Sequence, residues 1–222
     1  MTSRTEHRPR RRLSAADRRE AILAAALDVF SERGFHEASL EDVAARDGVS
    51  KALIYEHFAS KRELQRALME TYVRELLGRV IAAIESAEPG EERLRVGVDA
   101  FLGFVEERRG AWRMLVRNVT DPEMAAALAR FQEEVGAAIA VLMAADVRHT
   151  RLADPHLDQA VDMLARQLVG AVQALANWWN DNPEVPRGRV LALAMDFAWL
   201  GLGRLGDGER WSGDGTGQSP EE

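Results

Sequence analysis

Three capping boxes divide the first third of the sequence into short helices. In a capping box, a serine and an acidic residue three positions later accept hydrogen bonds from free backbone N–H groups at the start of a helix. The boxes begin at Ser14, Ser39 and Ser60. Glycines follow the first two helical segments, at Gly34 and Gly48, and glycine readily adopts the left-handed conformation that ends a helix. The pattern therefore predicts helices that begin near residues 15, 40 and 61.

A three-residue turn, Gly48-Val49-Ser50, separates the second helix from a third short helix over residues 51–58. Gly48 permits the positive φ of a sharp turn, and the Ser50 hydroxyl can cap the third helix. Ile54 and Phe58 stand four residues apart, so they share one face of that helix, which we expect to pack inward. Two short helices joined by such a turn are typical of a helix-turn-helix.

The outward face of the third helix carries the candidate ligand contacts. They are Lys51, Ala52, Leu53, Tyr55, Glu56 and His57. A helix of this size fits the major groove of B-DNA. The alternative is a surface helix in an all-α bundle, but a core has no use for an outward-facing Tyr-x-His pair. The only two lysines of the chain, Lys51 and Lys61, bracket the same segment.

Charge is distributed unevenly along the chain. The net charge of −7 by itself argues against nucleic acid as a partner. Residues 1–62, however, contain 12 basic and 10 acidic residues, whereas residues 63–222 contain 17 and 26. Five arginines lie within residues 1–12. A basic arm on an acidic body favours DNA as a partner, and the alternative for the arm is a solvated tail.

The order of residues in this region resembles a known family. The stretches AILAAALDVFSERGFHEASLEDVAARDGVS and KALIYEHFASKREL are similar to the DNA-binding domain of the tetracycline-repressor (TetR) family. The positions that agree in register are Phe30, Gly34, Phe35, Ser39, Val43, Ala44, Gly48, Val49, Ser50, Tyr55, Phe58, Ser60 and Lys61. The resemblance covers residues 15–64 and is specific, because so many positions agree.

The resemblance implies roles for individual residues. The implied phosphate contacts, which position a protein without reading sequence, are Ser39, Ser50, Tyr55, His57 and Lys61. The implied base-edge contacts are Lys51, Ala52 and Leu53. Family members often carry Gly-Thr at positions 52 and 53, whereas Leu53 can only touch a thymine methyl group or exclude water. Glu56 repels phosphate unless it accepts a hydrogen bond from a cytosine amino group, and residues 8–12 of the arm suit the adjacent minor groove.

The linker Glu88-Pro89-Gly90-Glu91 separates this front part from the rest of the chain. Helical patterns cover about residues 61–86, 92–108, 111–118, 122–147, 156–181 and 187–205, so the predicted fold is all-α. Together with the resemblance, they predict a disordered basic arm at 1–13, a helix-turn-helix domain at 14–60, a connecting helix at 61–87, an effector-binding and dimerisation domain at 88–206 and a disordered tail at 207–222.

The family fold implies a dimer interface on the last two long helices. The apolar stripes that suit it are Leu164, Leu168, Val172 and Leu175 on the first helix, and Leu191, Met195, Ala198 and Leu202 on the second. Two such helices from each of two chains form a four-helix bundle, and a palindromic operator needs a two-fold symmetric protein. The alternative is that the stripes pack only within one chain.

The family fold also implies an effector pocket among the helices of residues 92–181. Large apolar side chains, with two amides as polar fixing points, supply its candidate lining: Phe101, Phe104, Trp112, Leu115, Phe131, Val135, Gln167, Gln173 and Trp178. Together they indicate an apolar effector, such as a fatty-acyl compound, an aromatic compound or a lipophilic drug. Each of these residues taken alone favours plain core packing.

No catalytic, cofactor or metal site is predicted. The chain has no cysteine and only five scattered histidines, so no nucleophile and base stand at a motif spacing. His149 and His156, with acidic residues nearby, leave a divalent-ion site as an alternative. We expect a cytoplasmic protein, because the chain lacks cysteine and shows neither a signal peptide nor an apolar run long enough for a membrane helix.

The sequence thus predicts a homodimeric transcriptional regulator, most simply a repressor that an apolar effector releases from a palindromic operator. The long helix over residues 61–86 is expected to carry the effector signal to the DNA-binding domain. One alternative is an activator or a constitutive DNA-binding regulator with no small-molecule effector. A second is a helical enzyme or adaptor with an incidental helix-turn-helix.

Overall fold

The computed structural model describes the backbone of residues 14–117, 122–147 and 157–206. It describes the side chains at these positions except at residues 117, 122–124, 127–128, 131, 145–147, 157 and 200–206. The predictions that lie outside the described residues concern the basic arm, the C-terminal tail, the side chains of Phe131 and Leu202, and the divalent-ion alternative at His149 and His156.

The described residues form nine α-helices and contain no β-strand, which confirms the predicted all-α fold. The helices are α1 (Ala15–Arg33), α2 (Leu40–Asp47), α3 (Lys51–His57), α4 (Lys61–Glu85), α5 (Glu91–Glu107), α6 (Arg109–Arg117), α7 (Pro122–Val147), α8 (Leu157–Asp181) and α9 (Arg187–Gly206). The chain divides into two compact units between Tyr72 and Val73, inside α4. The finer predicted domain limits stay predictions.

Capping boxes start the first two helices, as the sequence predicts. The Ser14 hydroxyl accepts from the Asp17 backbone N–H over 3.1 Å, and the Asp17 carboxylate accepts from the Ser14 N–H over 3.3 Å. Ser39 and Asp42 make the same two contacts at 3.1 and 2.9 Å. Each box satisfies two backbone donors that have no partner inside the helix.

The box at the start of α4 differs from the prediction by one residue. The Ser60 hydroxyl accepts from the Glu63 N–H over 3.1 Å, as expected. The Glu63 carboxylate, however, accepts from the N–H of Ala59 over 2.6 Å instead of the N–H of Ser60. The chain path before the cap decides which donor the carboxylate meets, and the spacing of the two residues does not specify that path.

The core of the first unit joins α1, α2, α3 and the start of α4. Its fully buried apolar side chains, each with no exposed surface, are Ile22, Ala26, Phe30, Val43, Ile54, Leu64 and Leu68. Burying the Val, Ile, Leu and Phe side chains among them contributes roughly 1.5–3 kcal/mol each to folding. Ion pairs between α1 and α2 surround this core: Arg18 with Asp47, Arg33 with Asp42, and Arg46 with both Asp28 and Glu32.

The second unit packs α5 to α9 with the C-terminal part of α4. Leu102, Phe104 and Trp179 are among its completely buried side chains. The Trp179 indole N–H donates to the Val185 carbonyl over 2.7 Å, which holds the turn between α8 and α9 against the core. The guanidinium of Arg109 lies 4.9 Å from the centroid of the Trp179 ring, a distance suited to a cation–π contact.

None of the helices, over the residues that the structure describes, combines the length and the apolar character needed to cross a membrane.

Candidate nucleic-acid interface

The turn between α2 and α3 has the backbone geometry of a helix-turn-helix. Gly48 adopts the left-handed conformation with φ 70° and ψ 33°, and its N–H donates to the Ala44 carbonyl at the end of α2. The Val49 N–H donates to the same carbonyl over 3.0 Å. A side chain at position 48 is strained at this φ, so glycine lets the chain turn sharply into α3.

The α3 helix keeps one face in the core and presents the other. Ile54 and Phe58 have exposed fractions of 0% and 1%, as predicted for the inward face. Tyr55 has 49% of its surface exposed and stands on the opposite face. Among the other predicted contacts, Lys51, Ala52 and Glu56 are exposed, and Leu53 and His57 are half-buried. The predicted base-edge and phosphate contacts of α3 are therefore all at least partly accessible to a ligand, and none is buried.

Two serines among the predicted phosphate contacts also cap helices. The Ser39 hydroxyl donates to the Asp42 carboxylate over 2.7 Å in addition to accepting from the Asp42 N–H. The Ser50 hydroxyl accepts from the Leu53 N–H over 3.2 Å. Ser50 therefore keeps its hydroxyl proton for another acceptor, whereas Ser39 commits its proton to Asp42.

The carboxylate of Asp42, at the start of α2, accepts three hydrogen bonds. The hydroxyl and the backbone N–H of Ser39 donate to its carboxylate, and these bonds, more than the nearby charges of Arg33 and Lys61, lower the pKa of Asp42. Arg33, at the end of α1, donates to the other carboxylate oxygen over 2.9 Å. Asp42 thus caps α2 and ties it to α1.

Lys51 forms an ion pair that crosses from α3 to α2. Its ammonium donates to the carboxylate of Glu41, in the first turn of α2. The same ammonium lies 5.7 Å from the centroid of the Tyr55 ring. This pair was missing from the sequence-based site, because no spacing rule links residues ten positions apart in two different helices.

The ammonium of Lys61, a predicted phosphate contact, is already bonded within the first unit. Its ammonium donates to the carbonyls of Ala38 and His36, over 2.6 and 3.3 Å. It also lies 4.5 Å from the centroid of the Phe35 ring. Burial lowers the pKa of the Lys61 ammonium, and the nearby Asp42 carboxylate partly offsets this effect. The phosphate contact of Lys61 stays a prediction.

In the second unit, several predicted pocket residues form a tightly packed core. Phe101 and Trp112 meet edge to face, with ring centroids 5.2 Å apart and planes at 86°. Phe104, Trp112 and Leu115 are buried. The indole N–H of Trp112 donates to the Asn177 side-chain oxygen over 3.0 Å. These contacts give the apolar residues of α5 and α6 a defined place against α8.

The remaining predicted pocket residues lie elsewhere in the second unit. Gln173 lines an open groove of about 270 Å³ between α7 and α8, together with Gly136, Arg166 and Gly170. Its side-chain oxygen accepts from the Gln132 amide over 3.0 Å. Val135 is half-buried, Gln167 is exposed, and Trp178 has 52% of its surface exposed. The assignment of these residues to one effector pocket stays a prediction.

The predicted dimer stripe lies at least partly against its own chain. Ala198 is buried, and the half-buried members are Leu164, Leu168, Val172, Leu175, Leu191 and Met195. A different set of large apolar side chains is exposed on α8 and α9: Met163, Trp178, Leu193 and Phe197, with exposed fractions of 60%, 52%, 59% and 72%. The assignment of the first set to an interface stays a prediction.

Comparison with known proteins places this architecture in one family. The family model "Bacterial regulatory proteins, tetR family" matches residues 22–68, which contain α2, the turn and α3. The model "Tetracyclin repressor-like, C-terminal domain" matches residues 90–201. The chain belongs to the TetR family of transcriptional regulators. The resemblance seen in residues 15–64 is thereby confirmed and extends to the second unit.

Relatives along the whole chain carry the same family assignment. The chain is 32% identical over 197 residues to the HTH-type transcriptional activator FasR of Mycolicibacterium smegmatis, covering 87% of each chain. A TetR-like transcriptional regulator from Rhodococcus sp. RHA1 has a similar structure, with 29% identity and a TM-score of 0.73 over 86% of this chain and 99% of that chain. The regulator FadR of Bacillus subtilis, solved in complex with stearoyl-CoA, shares the fold at 15% identity, with a TM-score of 0.68 over 86% and 99% of the two chains.

Proposed function

We propose that this TetR-family regulator is a homodimer whose binding to a palindromic operator is controlled by an apolar, acyl-chain effector. The observation that carries the DNA-binding part is the α3 surface. Tyr55 and Lys51 are exposed there, while Ile54 of the same helix has no exposed surface. A short helix held in this way can enter the major groove as one rigid element.

The residues of α3 divide between positioning and sequence readout. Tyr55 and the Ser50 hydroxyl have free donors and reach phosphate oxygens, as does the half-buried His57. Lys51 donates to base acceptors such as guanine O6 and N7, and Leu53 packs against a thymine methyl group. Sequence preference therefore comes chiefly from residues 51–53, and affinity comes chiefly from the phosphate contacts.

The exposed apolar face of α8 and α9 is suited to bind a second copy of the chain. Trp178, Leu193 and Phe197 leave large apolar side chains in water on these two helices. Gly170 and Ala174 are exposed on α8, and small residues let a neighbouring helix approach closely. Pairing two such faces makes a four-helix bundle, and a palindromic operator requires the two recognition helices of the dimer to be one DNA turn apart, about 34–36 Å.

The effector part of the proposal rests on the second unit. Its core between α5, α6 and α8 is rich in large apolar side chains, including Phe101, Phe104 and Trp112. Apolar and aromatic side chains of this kind are the usual lining of a site for an apolar ligand such as an acyl chain. The stearoyl-CoA complex of the FadR relative supports an acyl ligand in this fold.

Effector binding is proposed to change the spacing of the recognition helices through α4, which begins at Lys61 in the first unit and ends at Glu85 in the second. A dimer must place both recognition helices in successive major grooves at once. Shifting the dimer from almost fully bound to almost fully released needs a differential affinity of about 5.5 kcal/mol.

Repression is the simpler outcome, because a dimer on an operator that overlaps a promoter blocks transcription without any further contact. Activation is the second candidate, and the similarity to the activator FasR favours it. The two outcomes share the same DNA contacts. They differ in whether the operator overlaps the promoter or lies upstream of it, and in vitro transcription with the purified protein distinguishes them by the sign of its effect.

The test begins with selection of binding sequences from random DNA by the full-length protein. A palindromic consensus is expected, and its affinity is then measured with stearoyl-CoA, with stearate and with free coenzyme A. We expect stearoyl-CoA to release the protein from the DNA and free coenzyme A to have no effect on DNA binding. Failure to select any sequence overturns the DNA-binding proposal, and tight binding of stearoyl-CoA with unchanged operator affinity overturns the effector mechanism.

A further inference from the structure

The ion pair between Glu41 and Lys51 places an acidic side chain beside the DNA-facing surface. Glu41 belongs to the first turn of α2, and Lys51 is the first residue of α3. Their side chains are 60% and 44% exposed, so the pair lies in solvent and is open to a ligand. The Tyr55 ring lies next to the same ammonium, at 5.7 Å.

Both members of this pair are charged near neutral pH. The hydrogen bond from Lys51 lowers the pKa of the Glu41 carboxyl, and the same bond raises the pKa of the Lys51 ammonium. The two opposite charges cancel, so the pair as a whole has no net charge with which to attract a phosphate. Glu56 adds a second exposed carboxylate on α3, so this part of the surface attracts phosphates less than its lysine alone suggests.

We propose that Glu41 is a specificity-determining residue, which holds Lys51 away from phosphates on non-specific DNA and releases it to base edges at the operator. This inference rests on the proposed function, in which Lys51 contacts bases. It assigns a role in sequence discrimination to a residue of α2 that need not touch the DNA itself.

The physical reason is a difference between the two complexes. On non-specific DNA, Lys51 gains a single phosphate contact by leaving Glu41, and the bare carboxylate then faces the phosphate backbone. Lys51 therefore stays paired there. At the operator, the other contacts of α3 fix the helix in the groove, and base acceptors offer Lys51 a directed hydrogen-bonding geometry. The directed base contacts at the operator outweigh both the exposed ion pair, which is weak, and the repulsion between the bare carboxylate and the backbone, whereas one phosphate contact on non-specific DNA does not.

The salt dependence of binding separates these states. Each phosphate that a protein neutralises makes the slope of log K against log salt steeper by about 0.9. In Glu41→Gln, the freed Lys51 reaches a phosphate on non-specific DNA. We expect the slope on a scrambled duplex to steepen by about 0.9, and affinity there to rise roughly eightfold at about 0.1 M salt. The slope on the selected operator duplex stays nearly unchanged, and its affinity rises less, so discrimination falls.

Glu32→Gln is the matched control. Glu32 is an exposed glutamate of the same unit that also accepts from a cation, Arg46, but it lies on α1. The substitution changes the net charge by the same amount and breaks an ion pair of the same kind. We expect equal, small effects of this variant on the two duplexes, so any loss of discrimination belongs to the position of Glu41 and not to the charge.

A double-mutant cycle with Lys51→Met completes the test. In the Lys51→Met background, Glu41→Gln is expected to leave both salt slopes unchanged, because no ammonium remains to be released. The inference is overturned if Glu41→Gln acts equally on both duplexes, or if its effect persists without Lys51. If Lys51→Met alone leaves operator affinity unchanged, the proposed base contact of Lys51 fails as well, which distinguishes the two failures. Unchanged circular dichroism melting confirms that each variant is folded.

Discussion

The ammonium nitrogen of Lys61 lies 2.6 Å from the carbonyl oxygen of Ala38 and donates a hydrogen bond to it. Ala38 directly precedes Ser39, the cap of α2, and Lys61 is the first residue of α4. One side chain thus fixes the chain where it enters the helix-turn-helix. An ammonium has three donors, and the carbonyl of His36 takes a second one.

Lys61→Met is expected to destabilise the first unit by about 1–2 kcal/mol, because two carbonyls lose a charged donor. The five tryptophans lie beyond residue 111, so tryptophan fluorescence does not report on this unit. Hydrogen exchange of the α2 amides measures its opening free energy directly. Lys51→Met is the control, since Lys51 pairs with Glu41 at the exposed surface, where an ion pair contributes little to stability. Equal protection of α2 in both variants would contradict a structural role for Lys61.

Tyr55 and Ile54 are neighbours in α3 with opposite environments, so their variants separate DNA contact from folding. Tyr55→Phe removes one exposed hydroxyl, and we expect DNA affinity to fall about tenfold, because a hydrogen bond to a charged phosphate is lost. The melting temperature stays the same. Ile54→Val leaves the DNA-facing surface intact but costs about 0.5–1.5 kcal/mol of stability. Fluorescence anisotropy with a selected duplex and thermal melting of both variants check this. If Ile54→Val lowered the DNA affinity and left the melting temperature unchanged, the assignment of Ile54 to the core and of Tyr55 to DNA contact would be wrong.

Much of the fold follows from local rules. The helices begin where serine caps and acidic partners predict, at Ser14 and Ser39, and Gly48 ends α2 in the left-handed conformation. The four-residue spacing of Ile54 and Phe58 identifies the inward face of α3. Each of these signals acts within one helical turn, so the sequence contains all the information that they need.

Contacts between helices were beyond the same reasoning. The pair Lys51–Glu41 joins two helices across 10 positions, and Lys61 reaches the backbone of Ala38, in the loop before α2, across 23 positions. Whether such groups meet depends on how the helices cross and how the loop runs between them, and periodicity within one helix specifies neither. The position of the two lysines on either side of α3 is visible in the sequence, whereas their partners depend on the three-dimensional fold.

The apolar stripes of α8 and α9 show a different limit. The period of a helix identifies which residues share a face, such as Leu164, Leu168 and Leu175. Both helices, however, carry apolar residues on more than one face, and Trp178 and Phe197 lie outside the predicted stripe. Periodicity cannot decide which apolar face meets the chain's own core and which one stays exposed.

Phe197→Ser is expected to weaken self-association, because removing a large aromatic from an interface centre commonly costs 2 kcal/mol or more, or about 30-fold in the dimer dissociation constant. Sedimentation velocity over a range of concentrations measures this, and operator affinity should fall in parallel. Val141→Ser provides the control, since Val141 is equally exposed, at 71% against 72%, but lies on α7. A dimer that tolerates Phe197→Ser and dissociates with Val141→Ser would move the interface to α7.

Asp42 makes the stability of the first unit depend on pH at the acid end. Hydrogen bonds from Ser39 hold the pKa of Asp42 below its ordinary value of 3.8. A carboxyl with a depressed folded-state pKa stabilises the fold fully above its unfolded-state pKa, and this contribution is lost as the pH falls through the folded-state pKa. The first unit should therefore lose stability below about pH 4, where the unfolded chain binds a proton more readily than the folded one.

Asp42→Asn removes this titration while keeping one oxygen that can accept from the Ser39 N–H. We expect the variant to be less stable than the natural protein at neutral pH, and the difference between the two to shrink as the pH falls from about 5 towards 3. Hydrogen exchange of the α1 and α2 amides across that range measures the difference. Asp28→Asn is the control, because Asp28 pairs with Arg46 and caps no helix. A difference between Asp42→Asn and the natural protein that is constant with pH would show that the carboxylate charge does not contribute to the cap, and that the hydrogen bonds alone hold the start of α2.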